Sequence, residues 1–269
     1  MRFSLAALAS VLLFSSEATC LLPRKNPTNP DVIAHTGNPQ GSLQTIQNVT
    51  TYITRPRNLL TAWPRRNTAI IYLTDVFGIE LPQNKLLADS FARAGYLTIA
   101  PDMFQGEALS TDIDLPNFNM GAFLAKHTTA VQDPIIAKAV AWAQAQPNIS
   151  KVAIAGYCWG GKYAFRFLAA GKGVDAAFSA HPSLLLDSEV TAITKPVSVA
   201  YAEADDLLLP ARRGELEGLL LGTGKAYQTT LYSGTHHGFA VRADISDDEQ
   251  RFGKEEAFLQ AVRWFDFHL

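Results

Sequence analysis

The sequence predicts an α/β protein built on a mostly parallel sheet covered by helices on both faces. Three observations carry that expectation. Strand-like and helix-like runs alternate from Ala69 to the C-terminus, the pattern of parallel strands joined by crossover helices. A β-branched run, Val152 to Ala155, passes through Gly156-Tyr157-Cys158-Trp159-Gly160-Gly161 into an amphipathic run, so that a strand, a sharp turn and a helix fit within Lys151 to Phe165. The composition, 48% hydrophobic and 18% charged over 269 residues, suits one large, well-filled core. No internal repeat, low-complexity tract or second apolar span interrupts the chain.

From the start, Met1-Arg2 gives a positive charge, Leu5 to Phe14 an apolar stretch too short to span a bilayer, and Ser15 to Cys20 a small-residue exit. Residues 1–20 therefore read as a cleaved secretory signal, and a secreted or secretory-pathway location is expected. Cleavage after Ala18 or after Cys20 satisfies the small-residue requirement, and only the second leaves Cys158 as the sole cysteine. Asn48-Val49-Thr50 and Asn148-Ile149-Ser150 are glycosylation sequons consistent with export. The Pro, Asn and Gly content of Leu22 to Gly41 reads as an extended arm on the surface of a single domain spanning 21–269.

Ala69 to Thr74 is a continuous buried-strand run, and Gln83 to Gly95 is helical, with Leu86, Leu87, Ser90, Phe91 and Ala94 on one stripe. A short strand, Tyr96 to Ala100, stops at Pro101-Asp102. Gly106 to Thr128 has no clean period and reads as a cap or lid loop. Asp133-Pro134 opens the next helix, which runs through Ala145. After the Lys151 to Phe165 unit come strands at Val174 to Ser179 and Pro196 to Ala202, a helix at Pro210 to Leu221 and a last strand at Tyr227 to Tyr232. A closing helix, Asp248 to Leu269, turns Phe258, Ala261, Val262, Phe265 and Leu269 inward.

The strand-turn-helix unit has the form of a nucleophile elbow, the mark of the α/β-hydrolase fold, with cysteine in the place usual for serine. The glycines at 156 and 160 leave room where a strained turn packs against its neighbours. The helix after Cys158 aims its N-terminus at the sulfur, which favours a thiolate, and makes the Trp159 backbone N–H a candidate oxyanion donor. The competing role for Cys158 is a buried, inert cysteine. In this fold the order along the chain is nucleophile, acid, histidine. The strand ending at Ala202 runs into Glu203-Ala204-Asp205-Asp206, and the last strand runs into Gly234-Thr235-His236-His237-Gly238-Phe239. His237 is preferred to His236 because Gly238 and Phe239 fit a tight turn backed by packing. Asp205 is preferred as the acid, with Asp206 nearly as good by its spacing to Pro210. His181, at the end of the strand after the elbow helix, points to the same rim as a substrate contact or as a hydrogen-bonded structural histidine.

These segments resemble the dienelactone hydrolase (carboxymethylenebutenolidase) family, and its fungal members in particular. The resemblance rests on the elbow, on His237-Gly238-Phe239-Ala240-Val241-Arg242, on Asp75-Val76-Phe77-Gly78 and on the arm His35-Thr36-Gly37-Asn38-Pro39-Gln40-Gly41. It implies a Cys158-His237-Asp205 hydrolase of lactones or esters that works without metal or organic cofactor, with the Val76 N–H as second oxyanion donor. It also implies a carboxylate that holds the thiol proton until substrate arrives. Family members usually have glutamate there; Asp75 is one methylene shorter, and capping the turn before Gly78 is its competing role. Arg242 lies near the segment that contacts a substrate carboxylate in bacterial relatives, but at a different spacing. The expected partner is a small lactone or ester, acting on a monomer or weak homodimer. With a formal net charge of -2 and no lysine or arginine clusters beyond short pairs such as Arg65-Arg66, neither nucleic acid nor an anionic membrane surface is expected as a partner. The reading that competes in class is a non-catalytic binder of a small apolar ligand, or a thiol sensor, on the same fold.

Overall fold

The computed structural model describes residues 33–58, 62–114 and 117–269. The signal sequence expected at 1–20, the first part of the arm and Leu115-Pro116 lie outside the described residues.

Eight strands form one sheet in the order β1-β2-β4-β3-β5-β6-β7-β8. Their bounds are Ser42–Ile46 (β1), Val49–Thr54 (β2), Thr68–Leu73 (β3), Leu97–Pro101 (β4), Lys151–Tyr157 (β5), Ala176–Ala180 (β6), Val197–Ala204 (β7) and Tyr227–His236 (β8). From β4 to β8 every pairing is parallel; β1 and β2 add antiparallel to the edge. The helices are α1 (Pro82–Arg93), α2 (Met120–Lys126), α3 (Thr129–Gln144), α4 (Trp159–Arg166), α5 (Asp187–Thr191), α6 (Pro210–Thr223), α7 (Phe239–Arg242) and α8 (Asp248–His268).

The central strand β3 is buried along its whole length because both its edges and both its faces are covered, so its sequence is a continuous apolar run without alternation. Its side chains nevertheless divide by the two-residue period of a strand. Ala69, Ile71 and Leu73 enter the core beneath α3, α4 and α6, with Ile136, Phe165 and Leu216. Ile70 and Tyr72 enter the opposite core with Phe91 of α1 and Phe258 and Phe265 of α8. The inward stripes expected for α1 and α8 thus pack on one face of the sheet.

Three local expectations need correction. The antiparallel hairpin β1-β2 has no counterpart in the sequence reading. Its two-residue turn, Gln47-Asn48, places both residues at positive φ, 47° and 65°, as a type I′ turn requires. β1 buries only Ile46, so it lacks the alternation that marks a strand. Helix α3 begins at Thr129 and contains Pro134 in its second turn. The proline ring removes a single N–H near the helix start, and Asp133 pairs with Arg166 of α4 at 2.6 Å instead of capping the helix. Strand β8 runs on to His236, because a register shift in β7 between Ala202 and Ala204 lets pairing resume at Ala204 and His236.

Within the segment expected to be a lid, residues 120–126 form α2, capped by the Asn119 side chain, which accepts from the Ala122 N–H at 2.9 Å. The described part of the arm is fastened to α1, β2 and α8. The Gln40 N–H donates to Asp89 at 2.7 Å, the Gly41 N–H to the Tyr52 hydroxyl at 2.6 Å, and His35 meets Glu255 at 2.8 Å. Among the described residues no helix is long and apolar enough to cross a membrane.

Candidate active site

Strands β3, β5, β6, β7 and β8 all end on the same side of the sheet, where ligands of open parallel sheets bind. There the turns after them bring together residues far apart in sequence. Cys158 sits between β5 and α4 with φ 51° and ψ -107°, a conformation costly for a residue with a Cβ. The turn closes only because its neighbours are glycines: a Cβ at Gly156 would lie 2.2 Å from the Gly160 carbonyl oxygen, and one at Gly160 would lie 2.3 Å from that of Leu73.

His237, one residue past β8, places Nε2 3.0 Å from Cys158 Sγ and Nδ1 2.9 Å from both carboxylate oxygens of Asp205. Asp205 is buried and its Oδ1 also accepts from the Leu207 and Leu208 N–H groups at 2.9 and 3.1 Å, which fixes the carboxylate toward the imidazole. Asp206 and His236 are exposed; of the two acids and the two histidines that the sequence left in competition, Asp205 and His237 are the pair in contact. Burial disfavours the imidazolium of His237, but its hydrogen bonds to Asp205 and Cys158 outweigh burial and raise its pKa to about 10.

Trp159 and Val76 both line the cavity above the sulfur. In the first turn of α4 the Gly160 N–H donates to Thr74 O and that of Gly161 to Cys158 O, both at 3.0 Å. Among the described residues neither the Trp159 nor the Val76 N–H is taken by a protein acceptor.

Of the roles open to each, Asp75 takes turn capping and His181 a buried structural place, in neither case a substrate contact. Both are fully buried, and neither lines the cavity. Asp75 Oδ1 accepts from the Phe77 N–H at 3.2 Å and from Asn84 Nδ2 at 2.9 Å, and Oδ2 accepts from Arg242 Nε at 3.0 Å. The shorter carboxylate therefore caps its turn and neutralises Arg242, and it makes no hydrogen bond to the sulfur. His181 turns inward from the end of β6, its ring 5.0 Å from that of His237 and 5.5 Å from that of Phe239. Burial, together with His237 and Arg242, pushes it well below its ordinary value, so it is a neutral wall behind His237. Of the polar lining residues, Ser183, whose Oγ lies 3.6 Å from Cys158 Sγ, escaped the sequence reading; Arg242, which the sequence placed only near a substrate-contacting segment, lines the cavity with its guanidinium carbon 4.6 Å from the centre of the Phe77 ring.

The cavity over Cys158 has a volume of about 380 Å³. Val76, Phe77, Leu109, Met120, Leu124, Trp159, Leu184 and Leu207 make its walls apolar, and Cys158, His237, Ser183 and Arg242 supply its polar points. Met120 and Leu124 come from α2, so the segment read as a lid does border the site. Among the described residues no group of three or more histidine, cysteine, aspartate or glutamate side chains is arranged to hold a metal ion.

The sequence profile of the dienelactone hydrolase family matches residues 49–269, which span the elbow, the acid and the histidine. The chain belongs to the dienelactone hydrolase family. A hydrolase, pyvD, of Aspergillus violaceofuscus is 36% identical over 235 residues, covering 87% of this chain and 93% of the relative. Dienlactone hydrolase 1 of Gibberella moniliformis is 30% identical over 242 residues, covering 87% and 90%. The same fold is seen in the crystal structure of a putative dienelactone hydrolase from Klebsiella pneumoniae, with a TM-score of 0.66 at 19% identity, covering 84% of this chain and 98% of that one. As a member of the dienelactone hydrolase family the protein is an ester or lactone hydrolase, which sets aside the non-catalytic reading.

Proposed function

We propose that this dienelactone hydrolase relative cleaves a compact, largely apolar lactone or ester through a thioester on Cys158. The observation that carries the reading is the unbroken contact from Asp205 through His237 to Cys158, at 2.9 and 3.0 Å, on the floor of an apolar cavity. With His237 raised to about 10, the imidazolium it carries at neutral pH faces the sulfur, the charge that a thiolate nucleophile needs beside it. The thiolate attacks the carbonyl carbon, a carbon–sulfur bond forms, and the oxyanion receives the Val76 and Trp159 N–H groups. As the ester carbon–oxygen bond breaks, His237 gives its Nε2 proton to the leaving oxygen. It then takes a proton from the water that attacks the thioester, and the sulfur leaves as thiolate. Asp205 holds the imidazole in the tautomer that both steps need.

The cavity volume and its apolar walls suit a small ring system with a single reactive carbonyl. Ring opening of a dienelactone, followed by absorbance, tests the reading with the intact protein and Cys158→Ala side by side. Turnover by the intact protein alone supports it; equal turnover by the variant refutes it.

We further propose export. Asn48 and Asn148, the two sequon asparagines, are both exposed at positive φ in turns, where a glycan has room. Expression through a secretory host, with N-terminal sequencing and a glycosidase shift, tests this: a secreted chain starting after residue 18 or 20 is expected, and an intact Met1 refutes it.

A further inference from the structure

Among the described residues two polar side chains are hydrogen-bonded to the sulfur, and only His237 belongs to the triad proposed above. The other is the Ser183 hydroxyl at 3.6 Å, within hydrogen-bond reach for an acceptor as large as sulfur. Ser183 is buried and lines the cavity. Its loop is laced to the nucleophile from both sides. The Cys158 N–H donates to Ala180 O at 3.0 Å, and the Ser183 N–H donates to Cys158 O at 3.2 Å. His181 and Leu184, on either side, take φ of 37° and 55° without being glycines. Such conformations persist only where the surroundings impose them, and they gather at functional sites. Here they turn the hydroxyl toward the sulfur.

We propose that Ser183 is a catalytic residue that donates its hydroxyl hydrogen to the Cys158 thiolate. This rests on the nucleophile reading of Cys158. A thiolate accepts and cannot donate, so in the ion-paired state the hydroxyl is the donor. The carboxylate at 75 is taken by Phe77, Asn84 and Arg242, which leaves the hydroxyl as the one neutral side chain bonded to the sulfur among the described residues. The charged groups around the sulfur are His237 after β8 with Asp205 behind it, and Arg242 of α7 with Asp75 behind it.

During acylation the sulfur lone pair becomes the carbon–sulfur bond, the charge leaves the sulfur, and the hydrogen bond weakens while Ser183 keeps its proton. When water cleaves the thioester, that electron pair returns to the sulfur, and the hydroxyl is already placed to receive the departing thiolate. Ser183 therefore assists the second step, so its loss lowers kcat more than it changes KM.

The test is the rate of iodoacetamide alkylation of Cys158 between pH 5 and 9, read by peptide mass, together with lactone turnover. The chains are the full-length wild type, Ser183→Ala and Ser183→Thr, each with its melting temperature measured. Losing a hydrogen bond to a charged acceptor should slow alkylation at pH 6 by about tenfold and lower kcat by a similar factor, and threonine should restore both. A folded Ser183→Ala that alkylates and turns over like wild type overturns the proposal, as does a folded threonine variant no better than alanine. A wild-type thiol that alkylates no faster at pH 6 than an ordinary cysteine overturns the nucleophile reading itself, and the role of Ser183 with it.

Discussion

Replacing Asp205 by asparagine keeps the shape of the site and removes one charge. The carboxylate makes two contacts of 2.9 Å to His237 Nδ1 and accepts two backbone N–H groups, so asparagine fits the same space. What it loses is the charge-assisted half of the bond to the imidazolium, worth about 1.5–3 kcal/mol. At about 1.4 kcal/mol per factor of ten, kcat/KM should fall by about tenfold to a hundredfold. Asp206→Asn, at an exposed position, should change it less than about twofold. The assay is lactone opening by absorbance for both variants. Wild-type activity in Asp205→Asn, or a larger loss in Asp206→Asn, would refute the assignment of the acid.

The same pair carries a pH dependence. Since the folded-state value of His237 lies above its ordinary 6.5, its stabilising contribution is complete below about pH 6.5 and is lost as the pH rises toward about 10. The gap in melting temperature between wild type and Asp205→Asn should therefore narrow over that window; a constant gap contradicts it. Gly160→Ala drives a Cβ to 2.3 Å from the Leu73 carbonyl oxygen, and urea unfolding should show a loss of about 1–3 kcal/mol. Met120→Trp, from α2 into the cavity, should raise KM for bulky esters while leaving iodoacetamide alkylation of Cys158 unchanged; an unchanged KM refutes a substrate path beside α2.

What the sequence made legible is what backbone sterics and strand order dictate locally. Gly156 and Gly160 announce the elbow because no side chain fits there, and the order Cys158, Asp205, His237 follows from consecutive parallel strands reaching one edge. The hairpin β1-β2 was not legible because an edge strand with one buried residue carries no period, and its turn uses Gln47-Asn48 in place of a glycine. The sequence leaves Asp75 open between the sulfur and its own turn because its partner Arg242 lies 167 residues away and no local pattern links them. His181 follows the last residue of β6, where alternation does not say whether a side chain faces the cavity or the core; the structure buries it. Ser183 reaches the sulfur through two positive-φ residues in a loop, a path that propensity does not encode.

The most direct measurement is rapid quenching of the protein with excess lactone in acid, followed by peptide mass analysis. A lactone loses no fragment on ring opening, so the account expects the peptide containing Cys158 to gain the full substrate mass, and Cys158→Ala to show neither adduct nor turnover. Turnover by Cys158→Ala, or an adduct on any other residue, would contradict it.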